Sequence, residues 1–118
     1  MARRAAIFEQ ISQDHPEVLN LDAGNMYGRR TDAQKAQTDF LMKETAALGY
    51  PVLAVGQWDL NYGLDYVRAM EAQYGYTYIC ANLGQSGKDG LIFPPTAVVE
   101  KAGLRIGLIW VIGKNYKI

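Results

Sequence analysis

Two segments of this chain set polar side chains directly after an apolar run and a glycine, where open α/β sheets carry their chemistry. In Val18-Leu19-Asn20-Leu21-Asp22-Ala23-Gly24-Asn25-Met26-Tyr27-Gly28 the polar group is the Asn25 amide. In Val52-Leu53-Ala54-Val55-Gly56-Gln57-Trp58-Asp59-Leu60-Asn61-Tyr62-Gly63 it is Gln57, Trp58 and Asp59 in succession. The amides offer a carbonyl oxygen and N–H donors, the carboxylate accepts, and the indole donates without a proton to exchange. Asp22 and Asp59 both fall near the carboxyl edge of the sheet. One reading makes them a weak contact for a hard cation such as magnesium or calcium; the other gives them supporting or capping roles.

The elements that must position these residues follow from spacing and punctuation. Residues 2–14 read as a helix, with Ala5, Phe8 and Ile11-Ser12 near one face and His15-Pro16 ending it. Residues 18–22 read as a short buried strand. Thr31-Asp32 supplies an N-cap for a helix over 33–48, with Ala36, Phe40, Leu41, Ala47 and Leu48 as its apolar stripe and Gly49 as its stop. A second strand covers 51–55, a helix runs from Gly63-Leu64-Asp65 to about Gln73 before Gly75, and a third strand covers 76–81. Pro94-Pro95 breaks any ladder. Beyond it, 97–100 and 104–112 read as a hairpin around Lys101-Ala102-Gly103. The alternation α-β-α-β-α-β followed by a hairpin predicts one α/β domain over 1–118, with a mostly parallel sheet and flanking helices.

Composition narrows the function. The 118 residues include 49% hydrophobic side chains, enough for a core, and 12 basic against 12 acidic groups leave no net charge. No global field therefore draws nucleic acid, and no apolar run reaches the roughly 18 residues of a membrane span. Glu9, Gln10, Ser12 and Gln13 interrupt the apolar stretch that a signal peptide would need. Arg3-Arg4 and Arg29-Arg30 read as solvated surface pairs. The single cysteine, Cys80, reads as a small buried hydrophobe, and the single histidine, His15, as a surface or capping residue. Residues 84–90 lack P-loop spacing and read as a surface loop. Tyr62, Tyr66, Tyr74, Tyr76 and Tyr78 cluster mid-chain. They suit either stacking on a nucleobase or an amphipathic covering of the core, and the second is the plainer reading.

The two strand-end segments resemble the Gly-Asp and Gly-Asn-His-Glu/Asp blocks of the 5′-nucleotidase branch of the calcineurin-like metallophosphoesterases. Leu48-Gly49-Tyr50-Pro51-Val52 leads into the second of these, and Asn61-Tyr62-Gly63-Leu64-Asp65 continues it as in that family. The opening Ala2-Arg3-Arg4-Ala5 helix, Tyr78-Ile79-Cys80-Ala81-Asn82-Leu83 and the hairpin from Val98 to Ile109 also resemble family segments in order, and agreement fades after Trp110. The resemblance implies a metallophosphoesterase-like layered sandwich and, for the family, two-metal hydrolysis of a phosphate ester across cations about 3.5–4 Å apart. It also implies metal-ligand blocks that would precede residue 1 and follow Ile118, and relatives that are often periplasmic or extracellular.

At the matched positions the ligand types differ. The bridging aspartate of the family is Asn25, the asparagine ligand is Gln57, and the histidine that stabilises the phosphoryl group is Trp58. Asp59 keeps the acidic character of a supporting position, and Asn82 joins Trp58 and Asp59 as a pocket residue. An amide cannot neutralise paired cations as acids and imidazoles do, so no cofactor is expected; a divalent ion (manganese, magnesium or zinc) is the alternative. The expectation is a catalytically degenerate 5′-nucleotidase-like domain serving as a structural or interaction module, with another chain or a second copy as partner. Two alternatives stand beside it: phosphoesterase activity completed by another chain, and nucleotide binding without hydrolysis.

Overall fold

The computed structural model describes residues 2–113. Residues 114–118, beyond the fading of the family resemblance, lie outside the described residues. Helix α1 (Ala2–Asp14) precedes α2 (Asp32–Ala47), strand β1 (Val52–Ala54), a 3₁₀ turn (Gln57–Leu60), helix α3 (Leu64–Tyr74) and strand β2 (Thr77–Ile79). A hairpin of β3 (Thr96–Lys101) and β4 (Leu104–Ile109) completes the order. The architecture is mixed α/β: β1 and β2 pair in parallel with Leu53 opposite Tyr78, and β3 and β4 pair antiparallel as a separate two-stranded sheet.

Local chemistry explains the element ends. The Thr31 side chain accepts from the Gln34 N–H and caps α2, and Gly49 at φ +72° follows its last turn. Gly75, left-handed at φ +71°, ends α3 while its N–H donates to the Glu71 carbonyl. The core gathers Tyr27, Met42, Leu53, Val55, Val67, Tyr78, Cys80 and Phe93, each nearly or fully excluded from water. The tyrosines belong to this core: Tyr27 stacks on Tyr62 at 5.8 Å, meets Tyr66 edge-on at 5.2 Å, and shares a 2.9 Å hydroxyl pair with Tyr78. Cys80 is buried as expected.

Three expectations are corrected. The strand expected over 18–22 shrinks to one bridge, in which the Ala54 N–H donates to the Asp22 carbonyl at 3.1 Å. Leu21 is half exposed, so that segment has no second face to bury. The sheet is accordingly a two-stranded parallel pair with one added bridge rather than an extended parallel sheet. Helix α2 buries Thr38, Met42 and Thr45, while Phe40 faces solvent; the true stripe contains two threonines, which an apolar count passes over. Arg4 is no free surface charge. Its guanidinium donates to the Tyr50 hydroxyl, lies over the Phe8 and Tyr50 rings, and pairs with Asp22 at 3.6 Å.

Candidate functional site

The two strand-end loops meet through their glycines. A Cβ on Gly56 would lie 2.4 Å from the Asn25 Oδ1 and 2.6 Å from the Asn25 nitrogen. One on Gly24, whose φ is +87°, would lie 2.6 Å from the Gly56 nitrogen. Only two glycines permit this approach. It brings the backbone after the Asp22 bridge against the turn after β1, with Asn25 itself at φ +63°, a conformation asparagine tolerates better than most residues.

Asp59 fills the junction. Its side chain is 1% exposed, and its carboxylate accepts four backbone N–H groups. The Asn25 N–H reaches Oδ2 at 2.7 Å and the Gly56 N–H reaches the same oxygen at 2.8 Å. The Met26 and Tyr27 N–H groups reach Oδ1 at 2.7 and 3.2 Å. Two donors on each oxygen account for the roughly four lone-pair sites of a carboxylate. Burial pushes the Asp59 carboxyl above the usual carboxylate range, and the donors from Gly56, Asn25, Met26 and Tyr27 oppose that rise. The side chain at Asn25 closes the circuit: its Oδ1 accepts the Trp58 N–H at 3.0 Å.

Asp22 has a local role as well. Its Oδ1 accepts the Gly24 N–H at 2.8 Å and its other oxygen faces Arg4, the capping reading rather than a cation contact shared with Asp59. The metals that the family resemblance implies do not fit these residues. Both Asp59 oxygens and the Asn25 amide oxygen already accept backbone donors, and among the described residues no group of three or more His, Cys, Asp or Glu is placed to hold an ion.

Asn25, Gln57, Trp58 and Asp59 are thus brought together, with Asp59 inside and Gln57 and Trp58 outside. Trp58 is 42% exposed and does not plug a buried pocket. It lines an open cavity of about 340 Å³ with Arg29, Arg30, Gln57 and Asn61. Asn82 stands apart. It clasps the segment after β4 by donating to the Ile112 carbonyl at 2.6 Å and accepting the Ile112 N–H at 2.9 Å, and it lines a different cavity with Leu60, Gly63 and Leu83. Sequence reasoning placed Asn61 in a family-like block and Tyr62 in the tyrosine cluster but gave neither its contact: Asn61 donates to the Gly28 carbonyl at 2.9 Å, and the Tyr62 hydroxyl donates to the Arg29 carbonyl at 2.8 Å. An amide following a short turn was the available signal for the first; nothing local marks the hydroxyl contact of the second.

No family model matches the chain. Curated relatives do. The silent protein UshA(0) of Salmonella typhimurium is 26% identical over 106 residues, covering 88% of this chain and 19% of that protein. The protein UshA of Salmonella pullorum matches to the same extent. The protein UshA of Yersinia enterocolitica is 27% identical over 105 residues, covering 87% of this chain and 19% of its own length. The chain is a distant relative of these proteins and spans about a fifth of their length. That relationship agrees with the 5′-nucleotidase-like resemblance of the sequence blocks at the level of distant kinship.

Proposed function

We propose that this chain is a 5′-nucleotidase-related unit, built on part of a metallophosphoesterase-like sandwich, whose strand-end residues serve the fold rather than metal-dependent hydrolysis. On this reading it acts as a structural or interaction module. The observation that carries it is the Asp59 carboxylate with four backbone donors at 2.7–3.2 Å. A side chain so engaged holds two loops together and has no lone pair left for a cation. The hairpin supports the interaction role, since Val98, Leu104 and Ile109 are each 59–69% exposed, and unpaired edges with apolar side chains favour association.

The test is hydrolysis of a phosphomonoester by the purified chain with manganese, magnesium or zinc, with and without chelator. The expected result is no turnover above the metal-only control. Chelator-sensitive turnover that survives Trp58→Ala and disappears in Asn25→Ala would contradict the reading.

A further inference from the structure

Outside the Asp59 junction, the surface carrying Trp58 has a chemistry that the loop clamp does not use. The 340 Å³ cavity between Arg29, Arg30, Gln57, Trp58 and Asn61 has no acidic side chain in its lining. A second cavity of about 430 Å³ adjoins it, sharing Arg30 and Asn61 and adding Lys35 and one acid, Asp32. Lys35 pairs with Asp39 at 3.5 Å, whereas neither Arg29 nor Arg30 has a carboxylate within ion-pair distance among the described residues. Two guanidinium groups therefore stand on a chain of no net charge without an ion-pair partner among the described residues.

The backbone beneath them is held in place. The Arg29 carbonyl accepts from Tyr62 Oη at 2.8 Å and from the Thr31 N–H at 2.8 Å, and Asn61 fixes the Gly28 carbonyl next door. The Trp58 backbone is fixed by Asn25. Exposed tryptophan and arginine on a fixed backbone are the side chains enriched where protein interfaces concentrate their binding energy, and guanidinium groups pair with carboxylates in a planar, two-bonded geometry. A small molecule needs enclosure to be held, but four of the five residues around the first cavity are exposed. Two adjoining hollows with Arg30 between them suit an extended partner instead.

We infer that the Arg29-Arg30-Trp58 surface docks an acidic segment of a partner protein, whose carboxylates face the two guanidinium groups and whose apolar side chain lies on the indole. The inference rests on the interaction-module reading and names the chemistry of the partner.

The probe is a synthetic peptide with two acidic residues on each side of a phenylalanine, titrated calorimetrically against the chain. Controls are the same peptide with amides in place of acids, and inorganic phosphate. The acidic peptide is expected to bind saturably with a Kd below about 1 mM, and the amide peptide and phosphate at least about tenfold more weakly. Arg29→Ala/Arg30→Ala and Trp58→Ala should each weaken the acidic peptide by about tenfold, with thermal unfolding unchanged because these side chains are exposed. Equal binding by acid and amide peptides, binding of phosphate alone, or an unaltered Kd in both variants overturns the inference. So does a concentration-dependent dimer that Arg29→Glu/Arg30→Glu dissociates, which assigns the surface to a second copy. Hydrolysis is scored separately: turnover sinks the non-enzymatic reading without touching this surface, and failed peptide binding does the reverse.

Discussion

The parallel pair and the hairpin are both two-stranded, yet they are held by different forces. All three residues of β1 are buried, as are two of the three in β2, and the loop after β1 is locked by Asp59. In β3 exposed and half-buried residues alternate, β4 does so after two exposed residues, and no residue of either strand is fully buried. The hairpin has backbone pairing over six residues per strand, and it is tied to the rest through the residues that flank it. The Ala81 N–H donates to the Trp110 carbonyl at 2.8 Å, the Cys80 N–H to the Pro94 carbonyl at 3.0 Å and the Trp110 indole N–H to the Val55 carbonyl at 3.0 Å. Asn82 clasps Ile112 by two bonds, and the Trp110 and Ile112 side chains pack against the core. Hydrogen bonds alone contribute little net stability against water. Burial makes the β1–β2 region the foundation, and the hairpin an appendage with surface to offer.

Substitutions at the junction should produce the largest loss. Asp59→Asn keeps the shape but places an NH₂ group against backbone donors, leaving at least two N–H groups without an acceptor; we expect about 2–5 kcal/mol lower stability in urea unfolding. Gly56→Ala should lose a comparable amount, about 3 kcal/mol, because the new Cβ meets Asn25 backbone and side chain rather than a yielding side-chain tip. A loss below about 0.5 kcal/mol in both would erase the distinction between the two regions.

Alkali should attack the same region next. Burial pushes the Tyr27 and Tyr78 phenols up, and for Tyr78 the neighbouring Tyr27 phenol adds to the rise. The folded state therefore holds protons that the unfolded chain releases, so stability is intact below the ordinary phenol value of about 10 and falls as pH rises above it. Unfolding monitored from pH 8 to 12 should show that decline, reduced in Tyr78→Phe.

The hairpin should tolerate what the junction does not. Val98→Thr with Ile109→Thr is expected to change stability by no more than about 0.5 kcal/mol, as exposed substitutions do, while lowering any tendency to self-associate in sedimentation. Smallest of all, Thr45→Val should be neutral or stabilising by about 0.3 kcal/mol, since its buried hydroxyl has no partner among the described residues.

Much of this contrast was legible in the residues. Gly49 and Gly75 marked helix ends, Gly103 marked the hairpin turn, and the Gly-Asn and Gly-Gln-Trp-Asp segments marked the strand ends that meet. Asp59 was legible as a supporting acid, but its four donors come from two loops over thirty residues apart in part, which local pattern does not encode. The buried face of α2 was missed because Thr38 and Thr45 count as polar. Yet Thr38 is satisfied locally, with its hydroxyl donating to the Gln34 carbonyl and accepting the Gly28 N–H. The strand over 18–22 failed because apolar composition does not say whether both faces find cover. The outward position of Trp58 depends on where the Asn25 oxygen sits, which only the assembled loops determine.

Native-state hydrogen exchange at the amides of Asn25, Met26, Tyr27 and Gly56 reads the Asp59 clamp most directly. All four N–H groups should exchange as slowly as those of β1, and together should become fast in Asp59→Asn. Exchange at the pace of an open loop in the unaltered chain would mean that the carboxylate does not hold them, and the structural role assigned to this junction would fall.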